Sequence, residues 1–347
     1  MSDPPVRDQR PAPIPLAFLT GFLGAGKTSL LNRLLPDPHL SGTLVVVNEY
    51  GETPLDHLLT QAAANDIVLL PSGCLCCAVR GDLVAALEDL LRRRDNGHVA
   101  PFARVIVETS GLADPVPAMA AVLRHPYLAI RYRLDALVTV VDAVNGARTI
   151  AGHHAAAAQV VHADRLVVTK SDLGLPQSCP ALDAGGLRAT LARLNPTALI
   201  LDAARGEATA SALFDLDPAR ETLRAATILL ADQPSTVRHR DDVTSFALRS
   251  DEPAPAGAAE LLIDMLRASS GPDLLRVKGL VALEDDPARP LLVQAAQHLV
   301  HPPRRLPAWP DGDRSTRLVF ITRGLDPAFV AGLWDALTER EGRVSGR

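Results

Sequence analysis

The chain is predicted to fold as an α/β protein, a mostly parallel sheet with helices on both faces, followed by a smaller α+β domain. Three observations point there. Short apolar runs alternate with helical patterns over roughly the first two hundred residues, which is how βα units read in sequence. The stretch GFLGAGKT, from Gly21 to Thr28, fits GxxxxGK(S/T) and stands between the first apolar run and the first helical pattern. Beyond residue 203 the alternation fades, and a different succession of strands and helices starts near residue 243.

In order, a polar, proline-rich tail (1–14) is expected to be disordered. Strands are then expected at 16–19, 44–47, 67–70, 105–108, 136–141, 166–169 and 198–201. Leu30, Leu31, Leu34 and Leu35 repeat at helical spacing directly after Thr28. These elements make a P-loop NTPase domain over 15–203. The acidic, proline-punctuated stretch 204–242 reads as a linker with one short helix. The C-terminal α+β domain, 243–341, has expected strands at 245–248, 275–283, 291–299 and 317–322, and helices at 256–268 and 327–340.

The glycine-rich stretch predicts phosphate binding. Gly21, Gly24 and Gly26 allow the backbone N–H groups of the loop, with those of Ala25 and Ser29, to converge on phosphate oxygens at a helix N-terminus. Lys27 would reach the β- and γ-phosphates, and Thr28 would place its hydroxyl on Mg²⁺. Composition agrees. The chain carries 35 lysines and arginines, but only three are lysines, at 27, 170 and 278, and two of those fall in nucleotide motifs. A guanidinium is a poor substitute where a compact ammonium is required.

Bulk properties exclude several classes. With 47 % hydrophobic residues the chain can bury sizeable cores, and a net charge of −5 with scattered arginines offers no basic stripe for nucleic acid. No apolar stretch reaches the ~18 residues of a membrane span. Arg7 and Arg10 precede an apolar run, but prolines interrupt it and a signal cleavage there would destroy the P-loop, so a cytoplasmic protein is expected.

A second half of the nucleotide site follows the strand at 166–169. Thr169-Lys170-Ser171-Asp172 resembles the NKxD signature that reads guanine. Asp172 can accept from guanine N1–H and the N2 amine, and adenine offers neither donor, so GTP is favoured over ATP. The Lys170 stem would lie along the base. Thr169 stands where asparagine is usual, so the amide that ties this loop to the P-loop is expected to be missing. Ala203-Ala204 could offer an N–H to guanine O6. For the acidic residue beside Mg²⁺, Glu108 (with Gly111 near the γ-phosphate) and Asp142 compete from two strand ends.

Cys74, Cys76 and Cys77 follow the strand at 67–70. A turn at Gly73 would let the three thiolates converge on a soft or borderline ion such as Zn²⁺ or Cu⁺, with Glu49, Glu52, a histidine or water in fourth position. An incomplete shell suits transfer rather than permanent structure. His153, His154 and His162 fall in an alanine-rich helix expected to be solvated, and Cys179 stands alone in a proline-bounded loop.

Together GFLGAGKT, VVNEYGE (46–52), GCLCC (73–77), ETSGLADP (108–115) and TKSD resemble the CobW-type P-loop GTPases, relatives of the nickel-insertion GTPases. The likeness continues through Leu275-Arg276-Val277-Lys278-Gly279, Val293-Gln294, His298 and Trp309-Pro310. The resemblance implies a slow GTPase coupled to handling of zinc or cobalt, with a client metalloenzyme. It assigns 48–52 to a switch-like loop, the cysteines to the metal, and Glu108 with Gly111 to the Mg²⁺ and γ-phosphate side. It also places Lys278 in a signature of the second domain. Activation of nitrile hydratase and service to cobalamin synthesis are both within its range. A metal buffer with structural nucleotide and a P-loop kinase with a chance TKSD are the readings from other classes.

Overall fold

A computed structural model of the chain describes residues 12–47, 67–69, 78–173, 184–214, scattered positions between 216 and 238, 243–297 and 299–338. Glu49, Glu52, Cys74, Cys76, Cys77, Cys179 and His298 lie outside the described residues, as does the expected tail up to residue 11. Ile14, placed in the tail from sequence, already begins the first strand and is buried.

The first domain runs β1 (Ile14–Gly21), α1 (Lys27–Leu34), β2 (Thr43–Val47), β3 (Ile67–Leu69), α2 (Ala78–Asp95), β4 (Arg104–Glu108), α3 (Pro115–Arg124), α4 (Leu128–Arg131) and β5 (Tyr132–Asp142). It continues with α5 (Gly146–Gly152), α6 (His154–His162), β6 (Arg165–Thr169), α7 (Ala184–Leu194), β7 (Leu199–Asp202) and α8 (Ala210–Phe214). The seven strands pair in the order β3-β2-β4-β1-β5-β6-β7, and every pairing is parallel. All seven were expected from the apolar runs.

A parallel sheet is covered on both faces, so its strands are apolar on both sides. Along β1, Ala17 and Leu19 enter one core with Leu30, Leu31 and Leu34 of α1, whereas Leu16 and Phe18 enter another with Leu83, Leu87 and Leu90 of α2. The stretch expected to be a linker with one short helix starts with such a helix, and that helix is docked. Ala210, Leu213 and Phe214 of α8 are buried in the α1 core. Its docking was not expected, because five residues are too few for an apolar period to show that one face is buried.

The second domain contains β8 (Val237–Arg238), β9 (Val243–Ser250), α9 (Ala258–Ser270), β10 (Leu274–Val281), β11 (Leu291–Ala296), β12 (Leu299–Val300), β13 (Arg304–Arg305), β14 (Thr316–Arg323) and α10 (Pro327–Thr338). Its strands are antiparallel in the order β12-β11-β10-β14-β9-β8, with β13 pairing β11. One face packs on α9 and α10 through Leu262, Ile263, Val277, Phe320, Val330 and Trp334. The other face meets the first domain and the 204–242 segment. Val161 of α6 packs with Val243, Leu275 and Ile321; Ala219 packs with Leu280 and Leu292; Ala226 packs with Val319.

Because the first sheet is all parallel, the carboxyl ends of its strands share one edge. Gly21, Glu108, Asp142, Thr169 and Asp202 all end strands there.

Candidate functional site

The loop between β1 and α1 is shaped by Gly21, Gly24 and Gly26, whose φ angles of 142°, 71° and 94° lie in the left-handed region. At Gly26 this conformation is required, since it is the residue from which α1 departs. No side chain caps α1, which leaves the N–H groups of its first turn for an anion. Ala25 is buried and donates its N–H to Phe22 O at 3.1 Å, and Ser29 is exposed on the first turn. The Lys27 ammonium is nearly enclosed, at 4 % exposure, and donates to Gly21 O at 3.0 Å along the inner side of the loop.

Glu108 is buried at the end of β4 and accepts a hydrogen bond from Thr28 Oγ1 at 2.8 Å. Two hard oxygens meet at the start of α1, a donor set that fits Mg²⁺. The following loop is locked onto the P-loop strand, because Thr109 donates its N–H to Leu19 O at 2.9 Å and its hydroxyl lies 2.9 Å from that of Thr20. Gly111 comes so close to the P-loop that a Cβ there would lie 2.6 Å from Leu23 N, so only glycine fits.

Asp142, the other candidate for the Mg²⁺ shell, is engaged elsewhere. It accepts from Lys170 Nζ at 2.8 Å and from Val144 N at 2.7 Å. Burial alone would raise its pKa, but the Lys170 ammonium and the donors from Val144 and Asn145 hold it below the ordinary carboxylate value. Lys170 also donates to Gly24 O at 2.7 Å and adopts a left-handed φ of 58°, uncommon outside glycine. Its ammonium therefore joins the P-loop to the end of β5.

The expected gap left by the absent asparagine is filled. Thr169 Oγ1 donates to Ala25 O at 2.6 Å, so a hydroxyl makes the tie to the P-loop that an amide was expected to make. Ser171 donates to Asp202 Oδ1 at 2.7 Å, and Asp172 is exposed beside it. Ala203 and Ala204 do not present free N–H groups. Ala203 N–H donates to Val168 O at 2.8 Å and Ala204 N–H to Asp202 Oδ1 at 2.9 Å. The Ala203 carbonyl accepts from Arg33 of α1 at 2.8 Å, a third link between the base side and the phosphate side.

The helix carrying the histidines is solvated only at its start, where His153 and His154 are exposed. Ala156, Gln159, Val160, Val161 and His162 are buried, because α6 is sandwiched between the first sheet and the second domain. His153, just before it, stacks on Phe22 of the P-loop with ring centroids 4.6 Å apart. His162 is driven down to a pKa of about 3 by burial, with Arg276 and Arg323 adding to the shift. Among the described residues no three His, Cys, Asp or Glu side chains are grouped to hold a metal ion.

Lys278 has a defined partner. Its ammonium donates to Asp164 Oδ1 at 2.7 Å, and Arg276, two residues earlier on β10, pairs with the same carboxylate and with the His162 carbonyl. Asp164 Oδ2 accepts from Leu137 N at 2.9 Å, which fixes the carboxylate to β5. Burial would raise the Asp164 pKa, but the two cations hold it far below the ordinary range. Sequence reasoning missed Asp164 and Gln159. The alternating charges of R-V-K-G in an otherwise apolar strand signal inward cations that need a buried acid, but they do not say where that acid lies.

The strand–loop–helix cradle, the Thr28–Glu108 pair and the tethered TKSD loop define a P-loop nucleotide-binding protein of the guanine-reading kind. The chain belongs to the CobW/HypB/UreG family of GTPases: the description "CobW/HypB/UreG, nucleotide-binding domain" matches residues 15–201, and "Cobalamin synthesis protein cobW C-terminal domain" matches residues 243–338. It is 33 % identical over 314 residues to the zinc chaperone YjiA of Escherichia coli K12, covering 89 % of this chain and 94 % of that one. It is 32 % identical over 358 residues to the zinc chaperone CobW of Pseudomonas aeruginosa, covering 92 % and 90 %. The crystal structure of Zn(II)-bound YjiA GTPase from E. coli superposes with a TM-score of 0.65 at 26 % identity, over 94 % of this chain and 99 % of that one.

Proposed function

We propose that this chain is a GTP-hydrolysing zinc metallochaperone that couples its nucleotide state to delivery of the metal to a client metalloenzyme in the cytoplasm. The observation that carries the nucleotide half is the Thr28–Glu108 hydrogen bond of 2.8 Å beside the buried Lys27, at the edge where the TKSD loop is tied to Ala25. Zinc is supported by the relatives named zinc chaperones and by three thiol side chains within four residues.

In this reading Lys27 and the loop N–H groups neutralise the triphosphate, Thr28 and Glu108 hold Mg²⁺, and Gly111 presents the backbone at the γ-phosphate. Bound there, Mg²⁺ supplies charge neutralisation on the phosphate oxygens. Asp172 reads guanine, and Lys170 holds the base side against the P-loop. Cys74, Cys76 and Cys77, with Glu49 in fourth position, take the zinc as cargo. Loss of the γ-phosphate acts on the metal through the 48–52 loop, a switch of the kind ordered by a terminal phosphate. No described helix is long and apolar enough to cross a membrane.

The test is the Zn²⁺ affinity of the reduced protein in Mg²⁺ alone, with GDP, and with a non-hydrolysable GTP analogue. A change of more than about tenfold, ~1.4 kcal/mol of coupling, is expected. Equal affinities in the three conditions, with Cys76→Ser removing metal binding but leaving GTP turnover intact, would make the chain a metal buffer that carries its nucleotide separately.

A further inference from the structure

Gln159 sits in the middle of α6 at 1 % exposure, and its side chain serves the loop after β4. Its Nε2 donates to Gly111 O at 3.1 Å and to Ala113 O at 2.9 Å. The two carbonyls bracket Leu112, so one amide sets both peptide planes of the turn. Across a planar trans peptide the Leu112 N–H points opposite to the Gly111 carbonyl, hence away from α6. Gly111 itself is pressed against Leu23 of the P-loop, three residues beyond Glu108.

The orientation of the amide is enforced. Exchanging its oxygen and nitrogen would set the oxygen against two carbonyls, so the NH₂ group must face the loop. The amide oxygen is buried and accepts no hydrogen bond among the described residues. A buried acceptor left in this state is unfavourable, and a purely structural core position is better filled by an apolar side chain. The main chain of Gln159 is fixed independently, since its carbonyl accepts from Thr139 Oγ1 of β5 at 2.7 Å. The helix is therefore anchored to the sheet, and the amide extends from that anchor to the loop.

We propose that Gln159 is a positioning residue for GTP hydrolysis, its amide holding the 111–113 loop in the placement from which Gly111 meets the γ-phosphate. The inference rests on the assignment of Glu108 and Gly111 to the Mg²⁺ and γ-phosphate side. It requires an effect on the triphosphate state and on turnover, with little on the diphosphate state, because GDP lacks the group that the loop contacts.

The test compares Gln159→Met, Gln159→Glu and Glu108→Gln in the full chain. For Q159M, near in shape but with no donor, kcat is expected to fall at least about tenfold and the preference for a GTP analogue over GDP to shrink, with GDP affinity within about twofold of the parent. For Q159E the carboxylate would face two carbonyls in a buried site, which raises its pKa. Its kcat relative to the parent should therefore rise as pH falls from 8 to 6, as protonation restores one donor. Unchanged kcat and nucleotide preference in Q159M would overturn the proposal. So would a parallel loss of GDP and GTP-analogue binding, or failure of both variants to fold, since each assigns Gln159 to the fold alone. Full activity of E108Q would instead overturn the assignment of the loop, and impaired E108Q beside normal Q159M would defeat the Gln159 proposal alone.

Discussion

The hydroxyl of Thr169 lies 2.6 Å from the carbonyl oxygen of Ala25, and this bond closes the base side of the nucleotide cradle onto its phosphate side. A Cβ built at Gly26 would lie 3.7 Å from Thr169 Oγ1, ordinary van der Waals contact, so the glycine serves its left-handed φ of 94° rather than space for the hydroxyl. A shorter side chain thus replaces the usual asparagine without loss of the tether.

Replacing the hydroxyl should loosen both halves of the site together. Thr169→Val keeps the shape and leaves the Ala25 carbonyl without its donor, at a cost of about 1–2 kcal/mol. GDP and GTP affinities are expected to fall together, by roughly five- to thirtyfold, in titrations with a fluorescent nucleotide. Loss for GTP alone would mean that the tether belongs to the γ-phosphate side instead.

Thr28 has a different signature, because its partner is Glu108 rather than the base-side loop. In Thr28→Val, turnover is expected to fall about a hundredfold, ~2.7 kcal/mol of transition-state stabilisation. Nucleotide binding measured without Mg²⁺ should be nearly unchanged. The decisive reading is the Mg²⁺ dependence of GDP affinity, which should flatten.

Asp164, half-buried between the domains and paired with two buried cations, predicts a stability effect with no loss of nucleotide binding. Lys278→Met leaves Asp164 with Arg276 alone and should destabilise by about 2 kcal/mol, below the ~3–5 of a buried pair broken completely. Asp164→Ala strands two buried cations and should cost more. A double-mutant cycle read from chemical denaturation is expected to give a coupling above about 1 kcal/mol, and additive effects would separate the two groups.

Two histidines set where acid begins to act: His162, buried in α6, and His301, half-buried after β12, where its backbone N–H donates to Gln294 O at 3.0 Å. Burial lowers His162 to about 3 and His301 to about 4 from an ordinary 6.5, so the folded chain keeps both neutral while the unfolded chain takes up protons below that value. Their contribution is fully present above about pH 6.5 and is lost as pH falls toward the folded values, at up to ~1.4 kcal/mol per pH unit for each. The share of Asp164, whose pKa is also depressed, disappears only below its ordinary 3.8. Denaturation midpoints at pH 7.5, 6 and 5 should therefore decline in order, and His301→Gln should shallow the decline. Flat midpoints down to pH 5 would mean that neither ring is held neutral by the fold.

Sequence legibility followed the periodicity of the apolar residues. Seven parallel strands could be read because Val, Ile and Leu fill both faces of each, and the phosphate loop because glycine at 21, 24 and 26 has a mechanical reason. The docking of the short helix α8 was hidden by its length of five residues, and the buried character of α6 by alanine, which is equally at home in solvent and in a core. The choice between Glu108 and Asp142 could not be made from strand ends alone. The proposed choice rests on Thr28 reaching Glu108 and Lys170 reaching Asp142, contacts across 80 and 28 residues that leave no local trace. Gln159 and Asp164 act through partners 46 and 112 residues away, and no spacing rule connects them.

With three lysines in 347 residues, the chain has very few places where an acylating reagent can act. Lys27 and Lys278 are 4 % and 5 % exposed, whereas the Lys170 side chain is 35 % exposed in the loop after β6. Apart from the terminal amine, mild amine labelling is thus directed to one side chain, and a guanine ring laid along its stem would shield it. On the proposed reading of the TKSD loop, the composition of the chain supplies a single-site chemical reporter of nucleotide occupancy, readable by mass spectrometry in the unmutated chain.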